Sequence, residues 1–229
     1  SDIIIIYSEI LKRRLFLMEN RAIKIKSKSN SQVKVDVIPG HFATNHSHVN
    51  YFIDMTSVKT SYRMAREASE EIAKAYAHST PIDTIICLEG TEMIGAFLAE
   101  KLGHHGNGIN SGNDIRVITP EANSNNQLIF RDNIQDKIAD KQILLLIASV
   151  STGKTINRSV ECLKYYGGNL AGIASIFSAI NEYAGIKVTS VFHVDDMPAY
   201  ESKLPNECEM CKNGRKVDAI INSFGYSKI

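Results

Sequence analysis

The sequence predicts an α/β protein with an open parallel sheet and helices on both of its faces. Beyond about residue 58, short β-rich runs alternate with segments of helical periodicity, and this alternation is typical of a parallel sheet covered by helices. Residues 142–148 are almost wholly apolar, which predicts a central strand with both faces buried. Gly167–Gly168 predict the end of the helix that follows this strand.

The elements of this domain are expected in a regular order. Apolar residues at three- and four-residue steps, from Met64 to Tyr76, predict a helix over residues 61–78. The polar stretch at residues 120–141 is long for a compact domain and predicts a lid or binding loop, with poor order around residues 122–126. The β-rich runs predict strands at residues 82–88, 114–119, 142–148, 170–177 and 187–194.

Composition and charge exclude two classes of function. The 229 residues carry 26 Lys plus Arg against 25 Asp plus Glu, and nonspecific binding of nucleic acid needs a much larger excess of cations. No run approaches the roughly 18 apolar residues that cross a bilayer, so we expect no membrane contact and a cytoplasmic protein. Residues 1–34 hold eight basic and three acidic groups, which favours a solvated face, the alternative being a lid that brings cations to an anionic ligand.

The strongest chemical signal follows the apolar strand at residues 142–148. A loop of small residues there leads into a helix, so backbone N–H groups, hydroxyls and the positive end of the helix dipole converge on one point, which suits a phosphate dianion. The alternative is a Ser/Thr cap on a helix that binds no ligand. The predicted phosphate ligands are Ser151, Thr152, Gly153, Lys154 and Thr155.

One reading of this loop is a P-loop nucleotide hydrolase. Ala148–Thr155 nearly fits the Walker A spacing, with Ala148 at the position of the first glycine, and Asp195 lies at the end of a later β-rich run where a Walker B acid would hold Mg²⁺. Against this reading, the loop lies past the middle of the chain, whereas that motif normally follows a first strand.

A second interpretation of this loop is supported by several segments that follow one another in order along the chain. The strand and Ser-Thr-Gly-x-Thr loop at 151–155 resemble the signature of the type I phosphoribosyltransferases, which binds the 5′-phosphate of phosphoribosyl pyrophosphate. Glu89-Gly-Thr91, after an earlier strand, is similar to that family's pyrophosphate turn. Residues 42–54 and 208–214 are similar to segments of orotate phosphoribosyltransferases, and the whole resemblance covers about residues 40–215.

The resemblance implies an N-terminal arm and hood at residues 1–57, a phosphoribosyltransferase-like core at 58–200 and a C-terminal tail at 201–229. It implies a homodimer and a phosphorylated small-molecule substrate, with transfer of ribose 5-phosphate to a nucleobase, most simply of the orotate type. Mg²⁺ would assist and would be carried largely by the pyrophosphate. The residues implied at the pyrophosphate are Glu89, Gly90 and Thr91, together with Arg131 of the flexible loop.

Two departures from the family pattern favour a rival, a non-catalytic member of the same fold that senses a nucleotide or phosphoribosyl pyrophosphate. The family's signature strand ends in two acidic residues that hold the ribose hydroxyls, and Ile147 and Ala148 occupy those positions here. The flexible loop is also poor in cations, since residues 119–127 contain no basic residue. Charge-assisted bonds to the ribose would therefore be lost.

Two smaller groups of residues are candidate sites. Cys208 and Cys211 have the spacing of a zinc or iron turn, but a tetrahedral site needs four ligands, which His193 or the cysteines of a second copy could complete. A reduced surface turn and a redox pair are the alternatives. His46 and His48 are expected on one side of a strand, and the resemblance places them in the hood as candidates for contact with the base; ordinary polar loop histidines are the alternative.

Overall fold

The computed structural model describes residues 18–104, 106–123 and 127–229. The chain forms two compact units. The large unit comprises residues 26–33 and 55–198, and the small unit comprises the described residues up to Ile25 together with residues 34–54 and 199–229. The C-terminal tail therefore shares a unit with the segment at residues 34–54.

In the described part of the chain the strands and helices have the following bounds. The strands are β1 (Ile23–Lys26), β2 (Lys34–Ala43), β3 (His48–Asp54), β4 (Thr84–Cys87), β5 (Arg116–Ile118), β6 (Glu121–Ala122), β7 (Leu128–Ile129), β8 (Gln142–Val150), β9 (Asn169–Ser178), β10 (Glu182–Tyr183), β11 (Ile186–His193), β12 (Ser202–Lys203), β13 (Ala219–Asn222) and β14 (Gly225–Lys228). The α-helices are α1 (Thr56–Thr60), α2 (Tyr62–Tyr76), α3 (Glu92–His104), α4 (Lys154–Tyr165) and α5 (Glu209–Lys212).

The large unit contains the predicted parallel sheet. Its strand order is β10-β11-β9-β8-β4-β5, and every neighbouring pair is parallel except β10–β11. The apolar strand β8 lies between β4 and β9, as its composition predicted, and its residues from Ile143 to Ala148 are fully buried. The predicted α/β fold class is confirmed.

Helices cover both faces of this sheet. On one face, Ile156 and Leu163 of α4 pack in a cluster with Ile143 and Ile147 of β8. On the other face, α3 lies so close to β4 that a Cβ atom on Gly95 would stand 2.3 Å from the Cys87 sulfur, a contact that only glycine allows. No helix in the described residues is long and apolar enough to span a membrane.

The polar stretch predicted as a loop is more structured than expected. β6 and β7 form a short antiparallel hairpin, and a 3₁₀ helix covers Asp132–Lys137. Phe130 and Ile138 are buried in the core of the large unit, which anchors the segment after the hairpin. Of the residues for which poor order was expected, 124–126 lie outside the described part of the chain.

The small unit is built on a mixed sheet of order β12-β3-β2-β13-β14, with β1 also paired to β2. β13 from the tail runs parallel to β2, and β12 pairs antiparallel with β3. The core of this unit contains Phe42 and Phe52 from the N-terminal strands and Ala219 and Ile221 from the tail. The tail residues thus complete the sheet that β2 and β3 begin.

Candidate functional site

Two turns of the large unit meet at the carboxyl edge of its sheet. β4 and β8 are parallel neighbours with Cys87 opposite Leu146, so the turns that follow them start side by side. The chain leaves β4 through α3 toward β5 and leaves β8 through α4 toward β9, in opposite directions along the sheet. Such a switch point leaves a crevice, the usual place for a ligand in open α/β sheets.

The loop after β8 presents unused polar groups. Ser151, Thr152, Lys154 and Thr155 are all exposed, and α4 begins at Lys154 without any side-chain cap. Among the described residues, the hydroxyls of Ser151 and Thr152 and the Lys154 ammonium make no hydrogen bond or ion pair. The alternative of a simple Ser/Thr cap is therefore not supported.

Gly153 sets the direction in which this loop enters the helix. It is the N-cap residue of α4 and has φ of 75°, a left-handed conformation that favours glycine. The first hydrogen bond of the helix runs from the Asn157 N–H to the Gly153 carbonyl, at 2.9 Å. The N–H groups of the first turn have no partner within the helix and carry the positive end of its dipole.

The turn after β4 brings Glu89 against the end of β8. Glu89 has φ of 62° and Gly90 has φ of 81°, and a non-glycine residue in this region stores backbone strain that is common at ligand sites. The Ser149 N–H donates to the Glu89 carboxylate at 3.3 Å, and the Lys59 ammonium donates to the Glu89 carbonyl at 3.1 Å. Burial raises the pKa of Glu89, and the N–H groups of Ser149 and Ala148 and the charge of Lys59 oppose that rise.

The side chain of Thr91, the third residue predicted at the pyrophosphate, is used within the fold. The residue is fully buried, and its hydroxyl lies 2.9 Å from the Leu88 carbonyl oxygen and 3.2 Å from that of Leu146. These contacts join the turn to both strands. Thr91 can therefore offer only backbone groups to a ligand, whereas Glu89 offers a carboxylate.

The strand positions where two acidic residues are missing are closed to solvent. Ile147 and Ala148 are both fully buried, and Ile147 belongs to the core cluster beneath α4. The Glu89 carboxylate stands at the backbone of the next residue, Ser149. A carboxylate thus reaches the end of β8 from the neighbouring turn. Sequence reasoning missed this arrangement and the part of Lys59, because no local pattern links residues 59, 89 and 149.

Arg131, expected to reach a pyrophosphate, is engaged elsewhere in this conformation. Its guanidinium donates two hydrogen bonds to the Glu121 carboxylate, at 2.9 and 2.6 Å. The pair lowers the pKa of Glu121 and raises that of Arg131. Because Glu121 lies in β6, the bond holds Arg131 on the β6–β7 hairpin.

The acid proposed for a Walker B strand has a local role. Asp195 lies after β11, which β9 separates from β8, and its carboxylate is 3.0 Å from the His193 ring. The adjacent Asp196 accepts the His193 N–H at 2.7 Å and pairs with Lys28 at 2.6 Å. The His193 ring and the Asp196 carboxylate therefore cap a 3₁₀ turn that contains both acids, which argues against the P-loop hydrolase.

A second cluster lies within the small unit. His41, His48, Cys208 and Cys211 bring one nitrogen or sulfur atom each to a common point, with all four atoms within 4.8 Å of one another. The residues that join the cysteines are thus His41 and His48 rather than His193, whose Nδ1 atom contacts Asp195. His41 was not predicted as a ligand, since its pairing with residues more than 160 positions away leaves no local signal.

The two hood histidines do not share a strand face. His48 is the first residue of β3 and turns to the cysteines, whereas His46 is exposed in the β2–β3 turn, with its N–H bonded to the Thr44 hydroxyl at 3.2 Å. The expectation that both point to one side of a strand is therefore wrong. Burial and the nearby His41 lower the pKa of His48.

Comparison with known proteins points to one class. No family model matches the chain. The chain is 24% identical over 184 residues to the orotate phosphoribosyltransferase of Chlorobaculum parvum, covering 80% of this chain and 88% of that protein. The similarity to type I phosphoribosyltransferases that the motifs predicted is thereby confirmed.

Two phosphoribosyltransferases are among the solved structures to which the chain is similar. The adenine phosphoribosyltransferase of Thermoanaerobacter pseudethanolicus is 16% identical, with 78% of this chain and 99% of that chain covered and a TM-score of 0.48. The orotate phosphoribosyltransferase of Mycobacterium tuberculosis is 12% identical, with 80% and 96% covered and a TM-score of 0.46.

Proposed function

We propose that the crevice at the ends of β4 and β8 binds phosphoribosyl pyrophosphate and that the protein transfers its ribose 5-phosphate to a nucleobase, of the orotate type. The observation that carries this proposal is the pairing of the two turns. The loop 151–155 offers exposed hydroxyls, an ammonium and a helix N-terminus that no described residue uses, and the Glu89 turn lies beside it on the neighbouring strand.

The groups of the crevice divide into two roles. In the proposal, Ser151, Thr152, Lys154, Thr155 and the first N–H groups of α4 hold the 5′-phosphate, because together they supply donors and positive charge. The backbone of Glu89–Thr91 takes the pyrophosphate side. The Glu89 carboxylate then supports the ribose and the positive charge that develops on it as the bond to pyrophosphate breaks.

Mg²⁺ belongs to the substrate in this proposal. In the described residues, the cluster of His41, His48, Cys208 and Cys211 is the one place where three or more His, Cys, Asp or Glu ligand atoms converge. The crevice offers the Glu89 carboxylate but no set of protein ligands that would bind a metal ion alone. Mg²⁺ would enter bound to the pyrophosphate oxygens, where it would neutralise the leaving group.

A second candidate function is a sensor that binds phosphoribosyl pyrophosphate or a nucleotide without turnover. Two observations favour it: Ile147 and Ala148 leave the signature strand without carboxylates, and Arg131 is bonded to Glu121. Both bear on transition-state charge rather than on binding of the 5′-phosphate. A homodimer and a cytoplasmic location stay predictions for either function.

Calorimetry and a turnover assay separate these functions. Binding of phosphoribosyl pyrophosphate, orotidine monophosphate and ATP is measured first, followed by pyrophosphate release with orotate and, for comparison, with uracil and adenine. Release with orotate supports the transferase, and binding without release supports the sensor. Failure of both phosphoribosyl compounds to bind contradicts both functions.

Lys154→Ala locates the binding site, with Lys164→Ala as its matched control. Both lysines are exposed on α4, one in its first turn and one in its last. We expect Lys154→Ala to weaken the binding of orotidine monophosphate about tenfold or more, since a charge-assisted contact contributes about 1.5–3 kcal/mol. Lys164→Ala should leave that affinity unchanged. Equal effects of the two variants would place the phosphate elsewhere.

A further inference from the structure

The cluster of two histidines and two cysteines in the small unit has the dimensions of a coordination sphere. The His41 Nε2 atom lies 3.0 Å from His48 Nδ1, 3.5 Å from the Cys208 sulfur and 3.6 Å from the Cys211 sulfur. The Cys211 sulfur is 3.2 Å from His48 Nδ1. Each side chain thus points a potential ligand atom at the others.

The four contact distances, 3.0–3.6 Å, lie within a few tenths of an ångström of the edges of a zinc tetrahedron. Zn–N bonds of about 2.05 Å and Zn–S bonds of about 2.3 Å, at tetrahedral angles, place neighbouring ligand atoms about 3.3–3.8 Å apart. Because all four atoms lie within 4.8 Å of one another, they surround a single point. A two-iron cluster would need the ligands separated into two pairs, one on each iron.

The surroundings orient His41 as a ligand. Its ring is fully buried, and its Nδ1 atom lies 2.9 Å from the Arg215 carbonyl oxygen. A carbonyl only accepts, so Nδ1 carries the proton and Nε2 turns its lone pair toward the cysteines, the tautomer typical of a metal-ligating histidine. The His41 backbone is held by Asp218, whose carboxylate accepts the His41 N–H at 2.8 Å.

The two cysteines are arranged by a short turn. Cys208 is buried and precedes α5, and Cys211 is exposed within α5. The Arg215 N–H bonds to the Met210 carbonyl at 2.9 Å, which closes the turn and brings the Arg215 carbonyl back to His41. The same short segment therefore supplies two sulfur atoms and the hydrogen-bond partner of one imidazole.

We propose that His41, His48, Cys208 and Cys211 bind one structural zinc ion. Two thiolates and two imidazoles are a donor set that zinc prefers, and the two negative charges balance the ion in a partly buried site. Four protein ligands leave no open position for a substrate. The ion therefore joins the tail to β2 and β3 and stabilises the small unit, independently of whether the large unit is a transferase or a sensor.

Without a metal, the same contacts would be hydrogen bonds between thiols and imidazoles. Metal content distinguishes the two states directly. The full chain is produced without an affinity tag in zinc-supplemented medium, and zinc and iron are measured per chain by mass spectrometry. We expect about one zinc per chain, and at least a tenfold loss in Cys211→Ser. Because Cys211 is exposed, this variant keeps the buried packing of the unit.

Matched controls and cobalt substitution test the ligand set. Cys162→Ser changes a half-buried cysteine of the large unit and His46→Ala an exposed neighbour of the cluster, and both are expected to keep zinc. Co²⁺ added to the chelator-treated protein should give tetrahedral d–d bands and a thiolate charge-transfer band, which weaken in Cys211→Ser and persist in both controls.

Three outcomes would overturn the proposal. These are less than about 0.1 zinc per chain after incubation of the wild-type protein with excess Zn²⁺ under reducing conditions, equal zinc in wild type and Cys211→Ser, or iron in place of zinc. Circular dichroism of Cys211→Ser verifies that any loss of metal occurs in a folded chain. Removal of the ion by a chelator should also lower the Tm of wild type and leave that of Cys211→Ser unchanged.

Discussion

The Glu89 carboxylate accepts the Ser149 N–H at 3.3 Å, across the ends of two neighbouring parallel strands. This contact places a partly buried acidic group one residue beyond Ile147 and Ala148, the two apolar positions at which carboxylates were expected. The negative charge at this edge of the sheet therefore comes from the turn after β4 rather than from the end of β8. The stability and the activity of the protein should both depend on Glu89.

Glu89→Gln should stabilise the protein at neutral pH. Because burial raises the pKa of Glu89, the folded chain binds this proton more tightly than the unfolded chain does. The cost of ionisation is absent below the unfolded pKa of about 4.3 and grows as the pH rises through the folded pKa. Urea unfolding from pH 4 to pH 8 should show the variant gaining stability over wild type with rising pH.

Glu92→Gln is the control for this experiment, since Glu92 is an exposed carboxylate in the same segment. It should not gain stability over wild type as the pH rises. If the protein is a transferase, Glu89→Gln should also lower the rate of pyrophosphate release by a larger factor than it lowers the affinity for orotidine monophosphate. A stability difference independent of pH would mean that ionisation of Glu89 is not its cause.

Gly153→Ala should impair phosphate binding at a moderate cost in stability. A left-handed backbone costs an alanine about 1–2 kcal/mol, and relaxation of the loop toward ordinary φ would turn the first N–H groups of α4. Gly112→Ala is the matched control, because Gly112 has φ of 80° with nothing near its Cβ position. Both variants should lose similar stability in urea, and only Gly153→Ala should lose affinity for orotidine monophosphate, by about tenfold or more.

Arg131→Ala should separate catalysis from binding. If the hairpin releases Arg131 from Glu121 when phosphoribosyl pyrophosphate binds, the guanidinium stabilises the leaving pyrophosphate, and its removal should slow pyrophosphate release about 10²-fold. Affinity for orotidine monophosphate, which lacks the pyrophosphate, should stay the same. Lys137→Ala, in the 3₁₀ helix that follows, serves as the comparison. If Arg131→Ala lowers the release rate and the affinity for orotidine monophosphate by the same factor, Arg131 contributes to ligand binding rather than to the leaving-group step.

Ile147→Asp should unfold or strongly destabilise the large unit rather than restore a ribose site. The side chain lies in the cluster beneath α4, and an uncompensated buried charge costs about 3–5 kcal/mol. Ile147→Val, which removes one methyl group from the same cluster, should cost about 0.5–1.5 kcal/mol. Denaturation midpoints of the two variants measure the contrast. A mild effect of the aspartate would show that this position opens to the crevice.

Local patterns were sufficient for the elements of the large unit. The apolar run at 142–148 and the three- and four-residue spacing in α2 are short-range signals of burial, and the strands and helices they predicted lie where expected within a few residues. The hairpin β6–β7 and the 3₁₀ helix at Asp132–Lys137 were not predicted. Polar composition there suggested a loop, and two buried side chains, Phe130 and Ile138, decided otherwise.

The candidate sites also combine features that the sequence predicts with contacts that it does not. The strand β8, the small-residue loop at 151–155 and the helix α4 follow one another directly along the chain. The phosphate loop could therefore be predicted from the sequence. The contact of Glu89 with Ser149 spans 60 residues, and that of His41 with Cys208 spans 167. No periodicity records such pairs, because they arise only when the sheet has paired its strands.

The sequence by itself determined the α/β class, the apolar strand β8 and the loop that follows it, since burial on both faces and helix capping are properties of neighbouring residues. Only the tertiary structure decided which charges stand at that loop and which ligands meet the two cysteines. β4 beside β8 brings Glu89 to the phosphate loop, and β13 beside β2 brings the tail into the sheet that carries His41. Long-range strand pairing is set by the packing of whole units, which is why these partners could not be found along the chain.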